Sequence, residues 1–166
     1  MRPILLFLAP LLVTACSGDD PTDPSDTGPT TTDADPCEPS DSPTLEVGLG
    51  LSGYEALDDG DPFPLIHGPQ GGYHLEIGLF GTGLAADALV SGEMHGTIDG
   101  KEYASAFPRL DLRCVGDGRE SYGTLLVYES TPDFLDGKTT RITVSVEGTD
   151  GTTVSAEGTF LIEDTQ

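Results

Sequence analysis

The stretch "TTRITVSVEGTDGTTVSAEGTFLIED", Thr139 to Asp164, decides the fold. Its two halves alternate apolar and polar residues, and Thr149-Asp150-Gly151 between them is a turn signal, so the chain doubles back as a hairpin. A period of two places successive side chains on opposite faces of a strand, which excludes an amphipathic helix. The same period runs outward through the chain. Leu45, Val47, Leu49 and Leu51 alternate, as do Tyr73, Leu75, Ile77 and Leu79, with His74, Glu76 and Gly78 on the other face. Leu89 to Ile98 reads as a strand, Asp99-Gly100 as a hairpin turn, and "KEYASAF", "LDLRCV" and "SYGTLLVYE" as further strands. One weak helical candidate remains, "LAADAL" from Leu84 to Leu89, long enough for one turn. About seven to nine short strands between Gly, Asp and Pro turns predict an all-β domain, an antiparallel β-sandwich.

The closing section, "FLDGKTTRITVSVEGTDGTTVSAEGTFLI" from Phe134 to Ile162, resembles the last two strands of bacterial immunoglobulin-like and fibronectin type III-like modules. There a Leu-x-Gly turn precedes an alternating strand and an Asp-Gly hairpin leads to the final one. The chain departs from antibody domains in two ways. It contains no tryptophan, so the buried core Trp is missing. Cys37 also lies ahead of the strands, so no bridge from it reproduces the inter-sheet disulfide. The resemblance implies an immunoglobulin-like sandwich rather than a true immunoglobulin domain.

The N-terminus says where the protein resides. "MRPILLFLAPLLVTAC" carries one positive charge, Arg2, and an apolar run from Ile4 to Val13. That run falls short of the roughly 20 apolar residues a spanning helix needs and reads as an export signal. Leu12-Val13-Thr14-Ala15-Cys16 resembles the lipobox of bacterial lipoproteins. The resemblance implies cleavage after residue 15, lipidation of Cys16 and a membrane anchor. Ser17 after the cysteine is compatible with sorting to the outer membrane of a Gram-negative bacterium, facing periplasm or surface. The alternative is an ordinary signal peptide with a stray cysteine. Ser17 to Pro43 follows with eight acids and no Leu, Ile, Val, Phe, Tyr, Lys or Arg. Such a segment lacks the apolar surface to fold and predicts a disordered acidic spacer, open to O-glycosylation through its Thr, Ser and Pro. The expected organisation is a signal peptide over 1–15, lipidated cysteine and linker over 16–43, and a β-sandwich over 44–166.

The domain from Thr44 onward holds 21 acids and 6 scattered bases. Phosphate recognition needs clustered Lys and Arg, which excludes a nucleic-acid partner. With Cys16 assigned to lipid, Cys37 and Cys114 remain as an even pair in an oxidising compartment, so a disulfide is the default. Unstrained, it would contribute about 4–5 kcal/mol by constraining the unfolded chain. Two free thiols are the alternative.

Candidate chemistry is sparse. His67, His74 and His95 are possible zinc or copper ligands, but they form no metal-ligand motif. "LDDGDPFPL" offers Asp58, Asp59 and Asp61 to calcium, yet an EF-hand register from Asp59 meets Phe63 and Gln70 where ligands are required. A simple turn accounts for the same residues. There is no GxSxG, SxxK or glycine-rich phosphate loop, and the many carboxylates show no cleft pairing. The chain thus reads as a non-enzyme with no cofactor. "PFPLIHGPQGGYHLEIGLF", Pro62 to Phe80, reads as a reversal: Pro69 fixes φ, while Gly68, Gly71 and Gly72 tolerate positive φ. His67, Gln70 and His74 around it form a candidate binding loop.

Together these readings predict a lipid-anchored envelope lipoprotein. Its sandwich acts as a non-catalytic binding module for an envelope protein or a polysaccharide. The alternative is a periplasmic metal-binding domain (Ca, Zn or Cu), or a catalytic one, using the histidines and acidic turns. A third reading is a plain structural spacer.

Overall fold

A computed structural model describes residues 37–165. The expected signal peptide, Cys16 and the expected linker as far as residue 36 lie outside the described residues. The elements are β1 (Thr44–Leu49), β2 (Pro62–Pro64), β3 (Ile66–His67), β4 (Tyr73–Thr82), β5 (Val90–Ile98) and β6 (Lys101–Ala106). They continue with β7 (Arg109–Leu110), β8 (Arg113–Cys114), β9 (Arg119–Tyr128), the short helix α1 (Pro132–Leu135), β10 (Thr139–Glu147) and β11 (Thr153–Glu163).

The domain is all-β, as expected, with 11 strands joined in one nearly barrel-shaped sheet rather than two clearly separate ones. All 11 strands belong to one hydrogen-bonded path, in the order β1-β4-β9-β6-β5-β10-β11-β2, with β3 on β4, β7 on β5 and β8 on β9. The path curls until β1 comes back against β11, approaching a barrel. Every pairing is antiparallel except β2 on β11. Two physical facts separate this from the sequence expectation. Strands β2, β3, β7 and β8 are two or three residues long, too short to show a period. A single register pair, Ala104↔Tyr128, joins β6 to β9 and makes one path of two halves. The prolines that bracket β2 also blunt the edge at that end of the path, since proline offers no N–H to an incoming strand.

The predicted long strands form where the alternation is strongest. Leu75, Ile77 and Leu79 of β4 are fully buried, with Tyr73 partly buried beside them. Ile142, Val144 and Val146 of β10 meet Phe160 and Ile162 of β11 in the same core. Asp99 and Gly100 both take positive φ, 51° and 77°, as a two-residue hairpin between β5 and β6 requires. Three local expectations are corrected. "LAADAL" is not helical: Leu84, Ala85 and Ala86 are buried in irregular backbone, and the Ala85 carbonyl accepts from the Thr149 amide at 2.7 Å. The helix forms instead at Pro132–Leu135, where Pro at its start presets φ and Leu135 enters the core. "LDLRCV" divides between β7, which pairs with β5, and β8, which pairs with β9, with Leu112 buried between them. Leu51 falls beyond β1 and is half exposed.

Two close approaches fix the register. Gly78 lies opposite Gly48, and a Cβ on Gly78 would stand 2.4 Å from the Leu49 carbonyl oxygen. Elsewhere the buried Tyr128 hydroxyl meets Thr140 Oγ1 at 2.7 Å, and Thr140 donates to the Thr97 carbonyl at 3.3 Å. Burial pushes the Tyr128 phenol up to about 12. The expected disulfide is present: Cys37 and Cys114 are bridged, their Cα atoms 5.7 Å apart.

Gly78→Ala forces backbone against backbone and should cost about 1–3 kcal/mol. Gly72→Ala, with nothing within 4 Å, should stay within about 0.5 kcal/mol of wild type. Thr140→Val strands a buried phenol and should cost about 1–3 kcal/mol, more than Tyr128→Phe, which leaves Thr140 bonded to Thr97. Urea denaturation of the four variants checks both comparisons.

Candidate functional site

The alternation that fills the core also sets the outer face. With Val90, Gly92, Met94 and Ile98 of β5 turned inward, Ser91, Glu93, His95 and Thr97 point outward. Register then extends each of these residues into a row. His95 lies opposite Thr143 of β10, which lies opposite Glu157 of β11; Glu93 lies opposite Ser145, and Ser145 opposite Ser155. These side chains line an open groove of about 510 Å³. A second groove of about 360 Å³ shares Glu93 and Ser145 and adds Phe107, Pro108 and Arg109.

His95 is the most constrained group on this face. One ring nitrogen, Nδ1, meets Glu102 at 2.7 Å, and Nε2 meets Glu93 at 2.9 Å. Hydrogen bonding to Glu93, then to Glu102, together with the charge of both, raises the imidazole above its ordinary value against a smaller opposing effect of burial. An imidazolium donating to two carboxylates keeps no lone pair for a metal. The ring of Phe107 packs edge-on to His95, with centroids 6.2 Å apart, yet Phe107 is 72% exposed. Such exposure leaves an aromatic surface open to a ligand beside the groove. The floor is hydroxylic: Ser155 donates to Ser145 at 3.2 Å, and Arg141 pairs with Glu157 at the rim. The face therefore offers hydrogen-bond acceptors, hydroxyls and an open ring, and no activated nucleophile.

The sequence-predicted residues sit elsewhere. His67 belongs to β3 rather than to the turn, because Ile66 and His67 pair with His74 and Tyr73. Its Nε2 meets Asp164 at 3.0 Å and its ring packs on Tyr73. Gly68 to Gly71 is the expected reversal, closed by the Gly71 amide on the Gly68 carbonyl at 3.0 Å. Gly71 alone of the three glycines takes positive φ, 83°. Gln70 stands exposed at the tip. His74, expected on an outward solvent face, is buried: Ile66 lies across from it, and its ring lies beside Gly68. β9 and β6 separate β4 from β5 along the path, so His67 and His74 lie strands away from His95. Asp58, Asp59 and Asp61 form a turn docked on β11. Asp61 accepts from the Asp58 amide at 2.8 Å and Asp59 from the Thr159 amide at 2.8 Å. Among the described residues, no three His, Cys, Asp or Glu side chains are grouped to hold a metal.

Sequence reasoning missed Glu93, Glu102, Phe107 and Ser145. The signal for Glu93 and Ser145 lay in the polar positions of "SGEMHGT" and "TRITVSVE", and Glu102 and Phe107 stand in "KEYASAF"; these stretches become one surface only once β5, β6, β10 and β11 are known to be neighbours.

No protein-family model matches the chain, and no curated protein matches it. Among solved structures, the chain is similar to a CARDB domain from Pyrococcus furiosus crystallised in complex with di-metal ions. The match has 15% sequence identity, a TM-score of 0.29, and covers 74% of this chain and 94% of that domain.

A raised histidine stabilises the fold fully below the unfolded-state value of about 6.5, and the contribution is lost as pH rises through the raised folded value. The stability gap between wild type and His95→Gln should therefore be widest near pH 5.5 and close toward pH 9. Thermal melts across that range check this; a gap constant with pH would mean that the two carboxylates do not hold the imidazolium.

Proposed function

We propose that the protein is a lipid-anchored envelope lipoprotein whose β-domain is a non-catalytic binding module. The observation that carries the reading is the groove across β5, β10 and β11, flanked by the exposed ring of Phe107. Rigid strands hold its hydroxyls and carboxylates in register, which suits recognition by many weak hydrogen bonds and an aromatic platform. A polysaccharide or an envelope protein of the same surface chemistry is the ligand class. The two halves joined at Ala104↔Tyr128 are compatible with an immunoglobulin-like arrangement, in which faces and end loops carry binding.

The anchor is argued from the sequence alone. Thr14-Ala15-Cys16 after a short apolar run resembles a lipobox, and several acyl chains on one cysteine hold a protein to a bilayer, each buried CH₂ adding about 0.8 kcal/mol. Ser17 supports the outer membrane of a Gram-negative bacterium as the destination. The described residues contain no helix long and apolar enough to cross a membrane.

Two measurements test the reading separately. Cys16→Ser should move the full chain from the membrane fraction to the soluble fraction of a Gram-negative host; continued membrane retention would remove the lipid anchor. Binding to purified envelope polysaccharides and envelope proteins should fall at least fivefold in Phe107→Ala and His95→Ala and hold in Gln70→Ala. The reverse pattern would return the site to the β3–β4 turn.

A further inference from the structure

Cys37 is fastened to the domain twice. Its sulfur is bridged to Cys114, and its carbonyl oxygen accepts from Arg119 Nε at 3.2 Å and Nη2 at 3.0 Å. The same guanidinium donates to the Ala86 carbonyl at 3.0 Å, the Leu112 carbonyl at 3.3 Å and the Asp87 carboxylate at 3.1 Å. Its side chain is only 11% exposed. A planar fork with five donors suits this convergence, which an ammonium would not match. Cys114 lies directly opposite Arg119 in the β8–β9 register, so both fastenings act on the start of β9.

The strand that follows Cys37 is less secure. β1 ends the sheet path and pairs with β4 alone. β9 is internal, between β4 and β6, and pairs along most of its length with β4. A pull arriving along the chain toward Cys37 has two routes: through the backbone into β1, or across the sulfurs into β9. The covalent shortcut places residues 38–113 in a closed loop. That loop carries no tension from a pull between Cys37 and any point beyond Cys114.

We propose that the Cys37–Cys114 bridge and Arg119 form a clasp that passes a pull from the N-terminal side into β9 and keeps it off β1. The membrane anchor proposed above supplies the source of such a pull, and the proposal rests on that reading for nothing else. The two parts are not redundant. The bridge carries the load, while Arg119 keeps the Cys37 carbonyl seated when the bridge is open. Cys114 is exposed, so a thiol reductant reaches the bridge in the folded protein.

The test is an optical-trap measurement on the full-length chain, with one handle on its N-terminal residue and the other on an azide-bearing residue replacing the exposed Asp133. In the oxidised chain, β1 should stay folded through the first rupture. In the same molecule reduced after folding, the first event should come at lower force and lengthen the chain by about 40 Å. That is the release of 37–49 at roughly 3.3–3.6 Å per residue. Arg119→Gln should leave the oxidised first event unchanged and lower the reduced one further. A reduced first event equal to the oxidised one, or one that unfolds the whole domain, overturns the proposal. Amide exchange without load should show β1 still protected after reduction, with any fall no larger than that of β4; a loss on reduction confined to β1 also overturns the proposal, since the bridge would then be needed for β1 to fold at all. The handles stand in for the membrane, so failure here leaves the anchor reading untouched, and retention of Cys16→Ser on membranes leaves this one untouched.

Discussion

The sheet depends on a hydroxyl that has nowhere else to go. Tyr128 is 3% exposed and Thr140 is fully buried, so each needs a partner inside the protein or loses about 1–3 kcal/mol. Their mutual hydrogen bond, continued from Thr140 to the Thr97 carbonyl, ties β9 to β10 and β5. That is the one place where β9 and β6 also pair, at Ala104↔Tyr128. The phenol occupies space that a side chain on Gly96 would need, since a Cβ there would stand 2.5 Å from the Tyr128 oxygen. Gly96 is opposite Ala104 and Ile142 in its two registers. Small residues at 96 and 104, a phenol at 128 and a hydroxyl at 140 are thus one constraint seen from four strands.

That constraint positions the outer face. Once Gly96 and Met94 are fixed inward, His95 must point outward between them, because the side-chain period of a strand is two. Thr143 and Ser145 follow from the same rule on β10. The first groove is therefore built on strand positions alone, while the second adds Phe107 and Pro108 from the link between β6 and β7; rigid strands hold polar groups in register more tightly than a turn does. Of His67, Gln70 and His74, only Gln70 lacks this support, since His67 stands on β3 and His74 on β4. The two histidines already have neighbours within the protein, and only Gln70 faces outward.

Much of the fold was legible because it was written in local alternation. The β10–β11 hairpin, the Asp99-Gly100 turn and the Tyr73–Leu79 strand each declare themselves within ten or so residues. What escaped was non-local. β2, β3, β7 and β8 are defined by partners far away in sequence, and the closing of two halves into one path rests on a single residue pair. Leu84–Ala86 shows the same limit: its apolar residues suit one helical turn, but the Thr149 amide, far away in sequence, claims the Ala85 carbonyl. The candidate site was less legible than the fold. Histidine and glycine drew attention to residues 67–74, whereas the face that gathers hydroxyls, carboxylates and an open ring comes from β5, β10 and β11 together with Glu102 of β6 and Phe107 just beyond it, which are not all consecutive in sequence.

The disulfide belongs to the same non-local class, though its pairing followed from counting cysteines. Counting could not show its geometry. Cys37 was read as the far end of an acidic spacer, yet the residue is 6% exposed, and Ser40 after it bonds the Gly83 carbonyl at 3.0 Å. Arg119 explains why this segment docks in so acidic a chain. One of only six bases in the domain is withdrawn from the surface to collect the carbonyls of Cys37, Ala86 and Leu112. A buried guanidinium is costly unless its donors are satisfied, and here the entering chain supplies one of the acceptors. The segment and the arginine stabilise each other.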